Sequence, residues 1–313
     1  MTSYAIQTSA LVKTYGIGSK ATRAVDGLNL NVPEGSIYGL LGRNSAGKTT
    51  TIRMAMGLAH PTSGDIKVFG LNPARDPERV TVLRQVGYVP EDKMLAALSP
   101  RKLLELNRNF YPETWSDDLA RKVIKRLELP LDTAFIKLSL GNKTKSALAC
   151  AIAQRSRLLI LDEPTTGLDP IALDELLRLL VEDCTAPIGD KPRTIFLSSH
   201  QLAEIEQIAD HIGIMDRGRI LLEGPLDDIR SSFRRLTVTG AALPTTHPGI
   251  LSIRQQAHAT QYILQSAPEA FAKDLIANGA TIVESNPMSL NEIFLELCRT
   301  SESTAADREE EFA

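Results

Sequence analysis

The segment GRNSAGKTT, Gly42 to Thr50, decides the fold. It follows a short apolar run, SIYGLLG, and precedes TTIRMAMGLA, whose Ile52, Met54, Ala55, Met56 and Leu58 suit a buried helix. Gly42, Gly47, Lys48 and Thr49 fit the pattern G-x-x-x-x-G-K-[ST]. Such a loop, set between strand and helix, turns successive backbone N–H groups inward, and the helix start adds partial positive charge. Arg43, Asn44, Ser45, Ala46 and Thr50 complete the expected phosphate cradle. Lys48 would neutralise the β- and γ-phosphates of a nucleotide, and the Thr49 hydroxyl would ligate Mg²⁺. A glycine-rich turn that merely joined strand to helix would not explain the lysine.

Working outward, RLLILDEPTTGLDP ends an apolar strand on Asp162 and Glu163. Carboxylates at the end of a buried strand are costly unless a charge meets them. Mg²⁺ with a nucleotide is such a charge: Asp162 would hold the metal through water, and Glu163 would deprotonate an attacking water. An exposed turn pair would not follow Leu-Leu-Ile-Leu. His200 ends TIFLSSH in the same way, where ligands collect in open parallel sheets. A single histidine has no catalytic role by default; its place beside the two other motifs points to a γ-phosphate contact. Glu91, in GYVPED, closes an earlier strand and alone would be a solvated turn acid.

The bulk properties set limits. With 43% hydrophobic and 23% charged residues the chain of 313 is neither disordered nor fibrous, and holds one large α/β domain and a smaller one. A net charge of -3 gives no pull toward nucleic acid, and no nucleic-acid partner is expected. Cys150, Cys184 and Cys298 are far apart and read as small buried hydrophobes in a reducing cytosol. No signal peptide is evident, and no apolar run approaches the ~20 residues of a membrane span. Short apolar strands alternate with helices through residue 232, including an expected helical arm at about 93–155. Residues 233–300 read as a small α+β appendage, with Ser289 and Glu292 in capping-box spacing, and 301–313 as a disordered acidic tail.

This motif set, in this order, resembles the nucleotide-binding subunit of an ABC transporter over residues from about 5 to 230. GRNSAGKTT is similar to Walker A, LLILDEP to Walker B with its catalytic glutamate, GLDP to the D-loop with Asp169, and SSH to the switch histidine. LSLGNK, Leu138 to Lys143, stands in the place of the signature motif, Tyr15 in LVKTYG matches the A-loop aromatic that stacks on adenine, and Glu91 falls at the Q-loop position. The resemblance implies a P-loop NTPase fold, with a central mainly parallel sheet, antiparallel edge strands and a helical subdomain. Within the family the chain most resembles single-domain ATPases of bacterial ABC-2-type exporters. NRNFYPETW and LELPLDTAFIKLSLG resemble a subset associated with envelope-stress and antibiotic-response operons.

Four positions depart from the family pattern. Ser45 replaces a glycine, at an expected cost of about 1–2 kcal/mol if its φ is positive. Leu140 and Asn142 alter the signature while Ser139 and Gly141, the residues that would reach a partner's γ-phosphate, are kept. Glu91 replaces a glutamine and puts another acid near the metal, which could ligate it. One copy of each motif implies a second nucleotide-binding subunit, identical or paralogous, and the resemblance implies a separate transmembrane permease at the cytoplasmic face of a bacterial membrane. The expected activity is ATP hydrolysis with Mg²⁺, coupled to transport. A soluble ABC-type ATPase or regulatory switch is the alternative; a P-loop kinase leaves LSLGNK and GLDP unexplained.

Overall fold

The computed structural model describes residues 3–92, 98–184, 187–188, 191–240, 244–256, 258–266 and 268–311. The chain divides into two compact units, Met1–Glu223 and Gly224–Ala313. In chain order the first unit contains β1 (Tyr4–Tyr15), β2 (Thr22–Leu28), β3 (Asn31–Pro33), β4 (Ile37–Gly42), α1 (Lys48–Ala55), β5 (Ser63–Val68), α2 (Asp76–Leu83) and β6 (Val86–Val89). The helices α3 (Pro100–Phe110), α4 (Asp117–Arg126) and α5 (Leu140–Ala153) form the arm, and the start expected for it lies at residues 93–97, outside the described residues. Then come β7 (Leu158–Asp162), α6 (Pro170–Leu179), the short pair β8 (Pro187–Ile188) and β9 (Lys191–Pro192), β10 (Thr194–Ser199), α7 (Leu202–Ile205), β11 (His211–Asp216) and β12 (Arg219–Pro225).

Every residue of β4, β7 and β10 is buried, as expected of strands covered on both faces. They lie inside a six-stranded sheet of order β12-β11-β4-β10-β7-β6. From β11 to β6 the neighbours are parallel, and the register brings Ser199 opposite Leu41 and Ser198 opposite Asp162. The carboxyl ends of β4, β10 and β7 therefore open on one edge, where open parallel sheets bind ligands. A second sheet, order β2-β1-β3 with β5 also on β1, is antiparallel throughout and supplies Tyr15 from the end of its longest strand. Its Ile6, Leu11, Val25 and Leu28 share a core with Tyr38, Leu40 and Phe196 of the parallel sheet.

Helix α1 stops earlier than its apolar pattern suggests. Gly57 has φ +66°, and its N–H donates to Met54 while Leu58 N–H donates back to Arg53, a Schellman closure. Leu58, expected in the buried helix, is consequently 63% exposed.

The second unit holds α8 (Leu226–Ser232), β13 (Phe233–Thr239), β14 (Ile250–Gln255), β15 (Thr260–Gln265), α9 (Pro268–Ala277), β16 (Thr281–Pro287) and α10 (Leu290–Glu311). Its antiparallel sheet, order β14-β15-β13-β16, sends Leu236, Val238, Tyr262 and Leu264 into a core with Phe271 and Leu275 of α9. The unit thus begins at Gly224 rather than after Ser232, because α8 packs on β13. The capping box forms: Ser289 N–H donates to Glu292 at 2.8 Å and Glu292 N–H to Ser289 Oγ at 3.3 Å. A second correction concerns the tail, since α10 continues through residues 301–311. The alanine and glutamate residues of a stretch that looked disordered are also good helix formers.

Candidate functional site

The loop Gly42–Gly47 leaves β4 at the open edge, and α1 begins at Lys48. Gly47 has φ +109°, and a Cβ there would stand 2.4 Å from Ala24 O, so only glycine seats this helix start against β2. Ser45 has φ +68°, the left-handed conformation anticipated for the glycine it replaces. Lys48 curls back over the loop: its Nζ donates to Gly42 O at 2.7 Å and to Arg43 O at 3.3 Å. Asn44, Ser45, Ala46, Gly47, Lys48, Thr49 and Thr50 line one cleft of about 720 Å³ with Tyr15, Glu91 and Glu163. The Tyr15 ring carries the Lys13 ammonium 5.0 Å from its centroid.

Three carboxylates converge beyond the lysine. Thr49 Oγ1 lies 3.2 Å from Asp162 Oδ1 and 3.3 Å from Glu91 Oε2. Asp162 Oδ1 also accepts from Ser198 Oγ at 2.6 Å, while Asp162 Oδ2 is buried with no hydrogen-bond partner. Burial holds the Asp162 carboxyl above the usual aspartate range, and the Glu91 and Glu163 charges add to this against the hydrogen bonds from Ser198 and Thr49. An orphaned buried carboxylate oxygen beside a hydroxyl and a second acid suits a divalent cation. Among the described residues no group of three or more His, Cys, Asp and Glu could hold a metal ion, so such a cation would take part of its shell from nucleotide phosphates. The residues fit Mg²⁺ in that sense.

Glu163 follows β7 with φ +46°, left-handed for a non-glycine residue. Its N–H donates to Ser198 Oγ and Ser198 O, both at 3.2 Å. Its Oε1 faces Lys48 Nζ at 3.3 Å, and its Oε2 pairs with His200 Nδ1 at 2.8 Å. The carboxylate is buried between the Lys48 ammonium and the His200 imidazole and can accept a proton from a water at the cleft.

The ABC transporter family model matches residues 25–166. The bacitracin transport ATP-binding protein BcrA of Bacillus licheniformis is 41% identical over 233 residues, which is 74% of this chain and 72% of that protein. The chain belongs to the ABC transporter ATP-binding proteins. It is an ABC-type ATPase subunit and binds ATP. The daunorubicin/doxorubicin resistance ATP-binding protein DrrA of Streptomyces peucetius is 36% identical over 236 residues, 73% of this chain and 67% of that protein. A dimeric ATP-binding cassette solved in a post-hydrolysis state with ADP and Pi shares the fold, with a TM-score of 0.60 and 22% identity over 71% of this chain and 98% of that one.

The ABC signature residues lie elsewhere in the subunit and do not line the cleft. Ser139 caps α5, accepting from Asn142 N–H at 3.2 Å. Gly141 rests on the D-loop, where a Cβ would stand 2.4 Å from Gly167 O. Thr144 Oγ1 adds a bond to Thr166 O at 3.2 Å. Asp169 caps α6 through Ile171 and Ala172 N–H, and the Ala172 bond foremost lowers its carboxyl below the usual range.

The sequence reading missed three residues. Ser198 joins the Asp162 and Glu163 positions, yet in the sequence it is only a serine before a histidine. Glu204, on α7, is 6% exposed with a partnerless Oε2, and burial, aided by the Glu163 charge, holds its carboxyl above the usual range. Arg217 enters the cleft from the β11–β12 turn, where nothing but its charge could have marked it.

Proposed function

We propose that this subunit powers a membrane exporter through ATP-driven closure of two nucleotide-binding subunits packed head to tail. The observation that carries it is the split site. Lys48, Glu163 and His200 are joined in one cluster, whereas Ser139 and Gly141 stand at the start of α5 on the arm and do not line the cleft. One chain thus presents half of a nucleotide site and, separately, the residues able to complete another.

In this reading the P-loop amides from Gly42 to Thr50 hold the phosphates, with Lys48 on the β- and γ-groups and Tyr15 against the adenine. Thr49, Asp162 and Glu91 hold Mg²⁺, which when bound neutralises phosphate charge. Glu163 takes the proton of the attacking water, and His200 fixes the Glu163 carboxylate and senses the γ-phosphate. Asp169 lies at the seam beside the partner's nucleotide. Loss of the γ-phosphate removes the contacts that bridge Lys48 to the partner subunit's signature serine, and the pair opens. The names of BcrA and DrrA, bacitracin transport and drug resistance, support export as the coupled work. Among the described residues no helix is long and apolar enough to cross a membrane, so a separate permease at the cytoplasmic face supplies the path.

The test uses the full chain carrying Glu163→Gln. With Mg²⁺ and ATP it should run as a dimer in size-exclusion chromatography and revert to monomer with ADP. A monomer under both conditions, even with a co-purifying membrane protein present, rejects the reading; co-sedimentation with ribosomes instead of a membrane protein would favour the soluble alternative.

A further inference from the structure

The hairpin between β11 and β12 turns on two residues, Arg217 and Gly218, with φ of +46° and +80°. Two successive positive φ values are the signature of a type I′ turn, which favours Asn, Asp or Gly at its first position. Arginine there carries left-handed strain. The turn is anchored on both sides: Gly218 N–H donates to Ala46 O of the phosphate loop, and Asp26 N–H of β2 donates to Gly218 O, each at 2.9 Å. A Cβ at Gly218 would stand 2.9 Å from Asp26 N, so the turn sits hard against β2. Arg217 is thereby held at the wall of the cleft that Lys48 and Tyr15 line, 53% exposed, its Nε 3.9 Å from Asp216.

Position along the cleft indicates which part of a ligand it meets. Lys48, Glu163, Asp162 and Thr49 cluster at one end, the end of γ-phosphate chemistry. The Arg217 turn is tied to β2 and to Ala46 of the phosphate loop, and Tyr15, Thr22 and Arg23, from the end of β1 and the start of β2, line the same cleft. We propose that Arg217 is a nucleotide-binding residue that grips the portion shared by ATP and ADP, the ribose and its attached α-phosphate. A half-exposed guanidinium on phosphate is a charge-assisted contact weakened by solvent. The strained turn keeps an arginine because the ligand uses it. The proposal rests on the cleft being the ATP site.

Arg217→Asn separates a binding role from a structural one, because asparagine suits the first turn position better. In the full-length protein without nucleotide, Arg217→Asn should melt at the same or a higher temperature. By calorimetric titration with Mg²⁺ it should bind both ATP and ADP about 3- to 10-fold more weakly, with Arg217→Lys falling between it and the natural chain. Unchanged affinity for both nucleotides in Arg217→Asn would overturn the proposal, as would weakening confined to ATP, which would move the contact to the γ-phosphate. Lys48→Ala, measured in parallel, tests the site itself: if that variant binds ATP like the natural chain, the cleft reading fails independently of Arg217.

Discussion

Lys48 Nζ lies 3.3 Å from Glu163 Oε1, with both side chains buried. The same ammonium is the one that a γ-phosphate would claim. A triphosphate that drew Lys48 to itself would break this ion pair and leave the Glu163 carboxylate to His200 and to water. Replacing Glu163 with Gln should lower ATP turnover by about 10²–10⁴-fold while leaving ATP binding within a few fold, measured by phosphate release and by titration.

Ser198 holds both acidic positions at once, donating to Asp162 Oδ1 and accepting from Glu163 N–H. In Ser198→Ala the Glu163 amide keeps Ser198 O, but Asp162 loses its shortest hydrogen bond. Turnover should fall about tenfold, with a rise in the Mg²⁺ concentration needed for half-maximal rate. Steady-state rates across a Mg²⁺ series check this, and Ser198→Thr, which keeps the hydroxyl, should recover part of the loss.

Ser45 sits at φ +68° in the phosphate loop. Ser45→Gly removes the left-handed strain at the expense of added freedom in the unfolded chain, a net gain of about 1 kcal/mol. Thermal melting should show it as a rise of about 2–4 °C. ATP affinity should stay the same or improve, since glycine takes the same left-handed conformation without strain.

Glu292 is drawn from the ordinary glutamate value of 4.5 to about 2, first by the Ser289 N–H and then by Arg235. A depressed carboxyl stabilises the fold above its unfolded value and loses that contribution as pH falls toward its folded one. Glu292→Gln keeps the capping geometry and removes the charge. The natural chain should therefore melt above Glu292→Gln at pH 7, and the gap should close between about pH 4.5 and pH 2. A gap independent of pH would mean that the charge contributes nothing.

Much of this site is written in local spacing. The phosphate loop, the Asp162–Glu163 pair and His200 each close a buried strand, and parallel pairing then places all three at one sheet edge. What local spacing does not carry is contact between distant segments. Ser198 became visible only when β10 came into register with β7, and Arg217 when a hairpin turn docked on β2. Leu58 misled because apolar periodicity has no term for a left-handed glycine that ends the helix one residue before it. Residues 301–311 misled because charge-rich disorder and a charge-rich helix share a composition.

The seat of Gly141 on the Gly167 carbonyl leaves no clearance for even a methyl group. A mutation that enlarges Gly141 meets backbone and must pry the arm off the loop that follows Glu163. Whatever tilts the arm therefore drags that loop with it, like two teeth of one gear, and a displacement of α5 would reach the segment after Glu163 with little slack.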